Sequence, residues 1–536
     1  MMVFSVLYSF LTWWDAIDRR DEFSGDVIVI SIATCVAFWL LWNAMKSKKA
    51  LASLPPGPVD LPIVGYLPFL LGEDLHKKFT ELAEVYGPVY KLWLGKKLFV
   101  VVNSPSLAKE VVREQDMTFA DRDPPIAAWI SSSGGNDIAW SAYGPDWKKM
   151  RKVFVSNVLS NASLDASYAL RKQAVNMAIR YVYKNIGKPV DLGELAFATN
   201  ANAIMSILWG GTLEGEEGTK LVADFRKSVL ELMVLLGRPN ISDYFPLLAR
   251  LDLQGIGRQT KKVMSRIRKF LDTVIEKGSN LTEVNSFGFK KTERKKDFLQ
   301  ILLELKDRKD DSMSVTDIQL KGILMDIMVG GMDTTSTMVE WAMAELLQHH
   351  EIMEKVHQEL DEVVGLNKMV EEFHLPQLGY LQAVLKETLR LHPALPLLVP
   401  RCPSNTCKLG EYTIPRGSTV FLNVYAIHRD PQLWVRPLEF QPERFLCAES
   451  IKFDLQGNNF QYLPFGSGRR VCAGIPLAEK MLMYQLASYL HSFEWKMPRD
   501  TKLEFSEKLG IVVKKMKPLL AIPTPRLSDL DLYFQD

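Results

Sequence analysis

The sequence predicts a mainly α-helical body with small β-sheets, preceded by an N-terminal transmembrane helix. Three observations carry this. Apolar residues recur at helical spacing over long stretches, the longest running from Val315 to His350. Short alternating runs, such as Tyr90 to Val102, lie between glycine and proline breaks. An uncharged apolar segment, Val27 to Met45, is followed at once by Lys46, Lys48 and Lys49. At 536 residues the chain allows one very large domain or two to three ordinary ones. Its 65 basic and 63 acidic residues leave a formal net charge of +2, so bulk electrostatics points to no nucleic-acid partner. Five cysteines, few and odd in number, argue against a disulfide framework and for a reducing compartment. Cys402 and Cys407 lack a second ligand pair and read as loop thiols rather than half a zinc site.

Taken in order, residues 27–45 are long enough to span about 28 Å, close to a bilayer core. The lysines that follow place the C-terminal side in the cytosol. Leu54-Pro55-Pro56-Gly57-Pro58 is a stiff, extended spacer. Tyr90 to Val102 reads as two strands around a Gly-Lys-Lys turn. Phe119 to Gly144 reads as a long loop, and Asp146 to Val155 starts a helix that puts Trp147 and Arg151 on one face. Ser163 to Ala249 is mostly helical, Leu251 to Lys277 is a further amphipathic helix, and Gly278 to Lys296 is a charged linker. Val315 to His350 is expected to start on Ser314, with Asp317 at N3. Its middle, Val329-Gly330-Gly331-Met332-Asp333-Thr334-Thr335-Ser336, is poor in helix formers, which predicts a weakened centre where something must approach. Phe373 to Arg390 is helical and ends against Pro393 and Pro396. Leu395 to Val399 is extended, Gly410 to Leu422 a hairpin, Pro442 to Phe445 a loop, and Phe493 to Pro523 terminal strands before a frayed tail.

The most informative stretch is Pro464-Phe465-Gly466-Ser467-Gly468-Arg469-Arg470-Val471-Cys472-Ala473-Gly474, which runs into a helix. Small residues let backbone approach a flat object, and a thiolate at a helix N-terminus is stabilised by the dipole and by nearby arginine. Rival motifs are absent. The chain has no phosphate loop, no G-x-S-x-G elbow and no H-E-x-x-H, and the Gly466 stretch lacks the third glycine of a dinucleotide fingerprint.

Together these stretches resemble the cytochrome P450 family over nearly the whole chain. The haem-loop motif F-x-x-G-x-R-x-C-x-G is met by Phe465, Gly468, Arg470, Cys472 and Gly474. Gly330, Gly331, Asp333, Thr334 and Thr335 meet the central-helix motif. Glu387 and Arg390 meet E-x-x-R, with Arg444 as the loop partner, and Trp147 and Arg151 meet W-x-x-x-R. The resemblance implies a cytochrome P450 fold and a monooxygenase that binds haem b (iron protoporphyrin IX). Cys472 is then the proximal thiolate and metal ligand, which favours O–O cleavage. Phe465 shields the sulfur. Arg151, Arg401 and Arg470, assisted by Trp147, hold the haem propionates. Asp333 and Thr334 are the catalytic pair that delivers protons for oxygen activation. Glu387, Arg390 and Arg444 form a structural network.

No flavin or nicotinamide fingerprint is present, so electrons must come from elsewhere, and the membrane anchor together with the resemblance implies NADPH through a separate flavoprotein, NADPH–cytochrome P450 reductase. Lys148, Lys149 and Lys152 offer it a basic docking patch. The implied organisation is a lumenal segment (1–26), a single transmembrane anchor in the endoplasmic reticulum (27–45), a basic and proline-rich hinge (46–58), a cytosolic haem-thiolate domain (59–525) and a tail (526–536). The wording around Cys472 and Gly330 resembles plant microsomal members, closest to a branch with sesquiterpene hydroxylases. Met332 stands where many relatives carry Thr, adding a soft apolar side chain beside the oxygen site that is expected to narrow or grease the pocket. The candidate pocket segments, 127–138, 229–236, 325–332, 395–399 and 509–512, are mainly apolar. They predict a small lipophilic substrate, a terpenoid first and a flavonoid or other phenolic second. A reductase-independent isomerase or dehydratase is the reading from another reaction class.

Overall fold

One helix, Asp317–Gln348, sets the frame and is buried along most of its length. It belongs to a computed structural model that describes residues 31, 34, 53–70, 72, 74–209, 216–279, 297–308, 312–447, 453–499, 501–508 and 510–534. Most of the 27–45 anchor, the 1–26 segment and nearly all of the 278–296 linker lie outside the described residues. No helix among the described residues is long and apolar enough to cross a membrane.

The long helix starts two residues later than the sequence predicts. Thr316 is the N-cap, and its side chain accepts from Gln319 N while the Gln319 side chain reaches back to Thr316 N, each at 3.2 Å. Gln at N3 completes the reciprocal capping box, which Ser314 with Asp317 would not. Its first half packs with Leu192–Trp209, Glu216–Gly237 and Ile256–Ser279 in one apolar core. Its second half packs with Tyr168–Lys184, His350–Val363, Gly379–Leu391 and Ile475–Ser492 in another. Residues 333–337 lie between the two.

The strands are short. In chain order they are β1 (Val89–Leu94), β2 (Lys97–Val102), β3 (Val190–Asp191), β4 (Cys407–Leu409), β5 (Tyr412–Ile414), β6 (Thr419–Leu422), β7 (Phe493–Lys496), β8 (Glu507–Lys508), β9 (Lys514–Lys515) and β10 (Leu520–Pro525). β1 and β2 form the expected hairpin. The 410–422 stretch divides instead of pairing with itself. β5 turns back on β4, and β6 joins β2 in parallel. β10 runs between β3 and β7, and β8 pairs with β9.

Three further expectations are corrected. The 119–144 loop contains a short helix, Ile126–Ser131. Residues 395–399 are not extended, because Leu398 takes a left-handed φ of 52° and its N–H donates to Leu395 O at 3.0 Å. The tail is docked, with Tyr533 buried and its hydroxyl donating to Ser492 O at 2.6 Å. An aromatic ring with a satisfied hydroxyl holds a terminus that composition alone leaves loose.

Candidate active site

The cysteine loop is shaped by close backbone approaches. Gly468 has φ +70°, and a Cβ there would lie 2.1 Å from Val112 O. Only glycine fits both conditions. A 3-10 turn over Gly468–Arg470 follows, and the helix Ile475–Ser492 begins three residues after Cys472. Cys472 N donates to Phe465 O at 3.0 Å. Burial pushes the Cys472 thiol up, while hydrogen bonds from the Gly474 and Ile475 amides and the charge of Arg151 favour the thiolate. Cys472, Phe465 and Gly474 all line a cavity of about 380 Å³.

Four guanidiniums surround one part of that cavity: Arg122, Arg151, Arg401 and Arg470. Arg151 donates to Val471 O at 2.8 Å. Arg470 donates to Ala120 O at 2.7 Å and Ser141 O at 2.6 Å, and its guanidinium lies 4.6 Å from the Trp147 ring. Arg401 donates to Ser467 O at 2.6 Å and pairs with Asp116 at 3.2 Å. The indole N–H of Trp147 is committed to Ile138 O at 3.0 Å, so Trp147 serves as the platform under Arg470 and Arg151. Arg122 escaped the sequence reading. It sits in the 119–144 stretch and donates to Val399 O at 2.8 Å and Pro400 O at 2.7 Å. No motif flags it, and only the chain crossing between these segments reveals it. Burial, then repulsion by Arg470 and Arg401, lowers its pKa; burial likewise brings Arg470 to about 10.

Asp137 and Asp326 share the same wall and were also missed. Asp137 accepts from Trp140 N at 2.8 Å and Ser141 N at 3.0 Å, and Asp326 accepts from Ile138 N at 2.5 Å. They clamp the loop onto the central helix. Gly322 admits that loop, since a Cβ there would lie 2.0 Å from Asn136 O. Burial pushes the Asp137 carboxyl up to about 6. It raises Asp326 as well, with the neighbouring Asp137 charge adding to the effect.

The central helix brings Thr334 to the cavity but not Asp333. The Thr334 hydroxyl donates to Gly330 O at 2.5 Å, and both residues line the cavity. Asp333 is buried, its Oδ1 pairs with Lys514, and its Oδ2 has no hydrogen-bond partner. The helix stays continuous through the glycines. Gly331 packs against Ile204, whose Cδ1 would lie 2.5 Å from an added Cβ and would have to shift, whereas Gly330 faces open space. Met332 does not narrow the main cavity. It lines a separate hollow beside Phe197 and Met205.

Glu387, Arg390 and Arg444 form a structural network next to this site. Glu387 and Arg390 are fully buried and bonded at 2.7 and 2.8 Å, and Arg444 reaches Glu387 at 3.0 Å. Arg390 also donates to the carbonyls of His428 at 2.6 Å and Pro437 at 2.7 Å. The charges are thus paired and bonded, as buried charges must be.

The donor set fits a haem. A thiol supported by amide donors faces the cavity, and the clustered guanidiniums are bonded mostly to uncharged carbonyls, leaving positive charge suited to two carboxylates. A mainly helical body with a cysteine loop feeding a buried helix defines a haem-thiolate oxygenase. The comparisons agree: the cytochrome P450 family model matches residues 55–522, and the chain belongs to that family. The flavonoid 3'-monooxygenase of Petunia hybrida is 36% identical over 517 residues, covering 94% of this chain and 99% of the relative. The geraniol 8-hydroxylase of Swertia mussotii is 38% identical over 511 residues, covering 94% and 100%. A zebra fish cytochrome P450 solved with abiraterone superposes with a TM-score of 0.70 at 26% identity, over 84% of this chain and 99% of that one. The chain is a haem-dependent monooxygenase of small lipophilic compounds, supplied with electrons from NADPH by a reductase. Its relatives are named monooxygenases and hydroxylases, which sets the isomerase or dehydratase reading aside.

Proposed function

We propose that this chain hydroxylates a lipophilic plant terpenoid, with Cys472 as the iron ligand and Thr334, served by Asp333, as the proton donor. The observation that carries it is the mainly apolar lining of the cavity, to which Ile138, Ile204, Leu232, Met325, Leu395 and Val512 contribute. Such a wall selects by shape and apolar area rather than by hydrogen bonding. Bound haem supplies the iron at which O2 is activated, so that R–H + O2 + 2e⁻ + 2H⁺ gives R–OH + H2O. Arg122, Arg151, Arg401 and Arg470 would hold its carboxylates, and the Gly474 and Ile475 amides would set the donor strength of the sulfur. Thr334, whose hydroxyl rests on Gly330 O at the cavity, is the group that would relay a proton, and the adjacent buried Asp333 would supply it.

Geraniol 8-hydroxylase among the relatives supports a terpenoid, and a sesquiterpene is the sequence-derived choice within that class. A flavonoid is the second reading, favoured by the Petunia relative and by Asp326 on the wall. The reductase docks on the face where Lys148 and Lys152 stand exposed at the helix of Trp147. Residues 27–45 anchor the chain in the endoplasmic reticulum, with the body in the cytosol. The test is turnover by full-length protein with reductase and NADPH against terpenoids and flavonoids, alongside substrate-induced spin-state shifts. Hydroxylated terpenoid is the expected product. Turnover of flavonoids with no terpenoid product overturns the substrate reading. Retention of the thiolate reduced-CO spectrum by Cys472→Ala overturns the ligand assignment.

A further inference from the structure

The hollow that Met332 lines is a space of about 650 Å³, against about 380 Å³ for the cavity beside Cys472. That is within the roughly 300–1,000 Å³ of small-molecule clefts. Phe197, Ala201 and Met205 lie four apart on one face of the helix Leu192–Trp209, and Arg226, Leu230 and Val234 lie four apart on one face of Glu216–Gly237. Phe197, Met205 and Met332 are themselves buried, and the alanines at 198 and 201 leave room that larger side chains would fill. The same helices serve both spaces. Ile204 lines the haem-side cavity and its neighbour Met205 the hollow, and Gly331 lines the cavity and its neighbour Met332 the hollow. The hollow also carries an unbonded donor. Arg226 Nη1 donates to Glu194 and the guanidinium lies 4.5 Å from the Phe197 ring, yet Arg226 Nε is buried with no hydrogen-bond partner. A buried donor left unbonded is unfavourable and calls for an acceptor. Both carboxylates of the hollow are already paired, Glu194 with Arg226 and Glu231 with Arg266. An uncharged oxygen therefore suits Nε better than a carboxylate, which would sit near Glu194 and Glu231 with the exposed Lys227 as its remaining offset among the described lining residues.

We propose that this hollow is a second binding site, for a neutral lipophile with one terminal hydroxyl or carbonyl oxygen, and that its occupant alters how the haem-side cavity holds its own ligand. The oxygen accepts from Arg226 Nε–H, and the apolar body lies along Phe197, Ala201 and Met205. The body presses on Met205 and Met332, and their neighbours Ile204 and Gly331 pack on each other at the haem-side cavity. A shift at either methionine therefore reaches the cavity wall through one residue of the same helix. Coupling of this kind is reciprocal, so a ligand in the cavity changes the affinity of the hollow by the same factor. The site stands on the geometry of the hollow and does not depend on which compound is hydroxylated.

The test uses full-length, haem-loaded protein in nanodiscs, with its haem-side cavity filled by clotrimazole, an azole that ligates haem iron and reports its own occupancy in the Soret band. Tritiated farnesol, its hydrocarbon counterpart farnesene and palmitate are then titrated by equilibrium dialysis against empty nanodiscs. Farnesol binds at one per protein beyond the empty-nanodisc background, and palmitate binds more weakly. Arg226→Lys keeps a cation for Glu194 but lacks Nε, and it weakens farnesol roughly five- to tenfold while leaving farnesene unchanged. Ala198→Trp fills the hollow from an exposed wall position, keeps the thiolate CO spectrum and abolishes binding of both. Farnesol shifts the clotrimazole affinity about threefold or more in the parent and not in Ala198→Trp. If Ala198→Trp binds farnesol like the parent, the probe lies elsewhere and the site is overturned. If Arg226→Lys binds farnesol like the parent, or palmitate binds more tightly than farnesol, the neutral-oxygen chemistry is overturned. Farnesol that binds without moving the clotrimazole affinity overturns the coupling.

Discussion

Arg122, Arg401 and Arg470 crowd three positive charges onto one wall, and among these three only Arg401 has a carboxylate bonded directly to it. Holding like charges together costs free energy unless an anion joins them. Arg122→Gln should therefore weaken haem retention. A charge-assisted bond is worth about 1.5–3 kcal/mol, so haem loss to an acceptor apoprotein should quicken by roughly tenfold or more. An unchanged loss rate would remove Arg122 from the haem-binding set. The same residue shows where sequence reading stops. Cys472, Arg470 and Thr334 were legible because each sits in a local motif. Arg122, Asp137 and Asp326 were not, because their meaning depends on segments some 190 to 280 positions apart meeting in space. Lys514 was hidden for the same reason, since its partner lies 181 residues away.

The central helix was legible as a helix, and its glycines as a place of approach, but not which way each faces. Gly331 is small for Ile204, Gly330 for the cavity, and Gly322 for the loop at Asn136. Those are facts of neighbours, which periodicity does not carry. The far end of this helix makes a pH prediction. Glu345 accepts from His392 at 2.6 Å and pairs with His349 at 3.5 Å. Burial pushes its carboxyl up, but the bonds from His349 and His392 outweigh this and hold it at about 2, below the ordinary 4.5. A carboxylate lowered on folding stabilises the fold above its unfolded pKa. That contribution, on the order of 3 kcal/mol here, is lost as pH falls from 4.5 toward about 2. Glu345→Gln should therefore be less stable at neutral pH and show a shallower loss of stability over that window, read by denaturant titration at several pH values. Parallel pH profiles for the two proteins would show that the pair contributes nothing.

At the scale of the whole molecule, two exposed apolar segments meet beside one turn. Val59 is 74% exposed and Ile63 61%, while Leu247, Leu251 and Leu253 are 81%, 62% and 57% exposed. The β1–β2 turn joins them: Gly95 N donates to Val64 O at 3.1 Å, and Lys96 N donates to Tyr244 O at 3.0 Å. The proline segment is pinned to the same sheet, since Lys91 N donates to Pro56 O at 2.8 Å, and a Cβ on Gly57 would lie 2.1 Å from Lys91 O. The sequence marked this segment as stiff, but its docking needs β1 beside it. This stiff lead is fixed to the sheet beside the exposed apolar residues, and with the anchor proposed above it would help set how the body meets a bilayer. Scattered exposed apolar residues need no explanation, but a contiguous patch marks a contact. If the proposed anchor holds the chain at a membrane, that face should rest in the lipid surface. In full-length protein reconstituted into bilayers containing brominated lipid, a reporter indole placed by Leu251→Trp should be quenched. The same reporter at Leu438, 74% exposed in the 423–441 region, should not be. Equal quenching at both positions, or none at Leu251, would mean that the body does not lie on this face. The stiff proline lead would then serve only as a spacer.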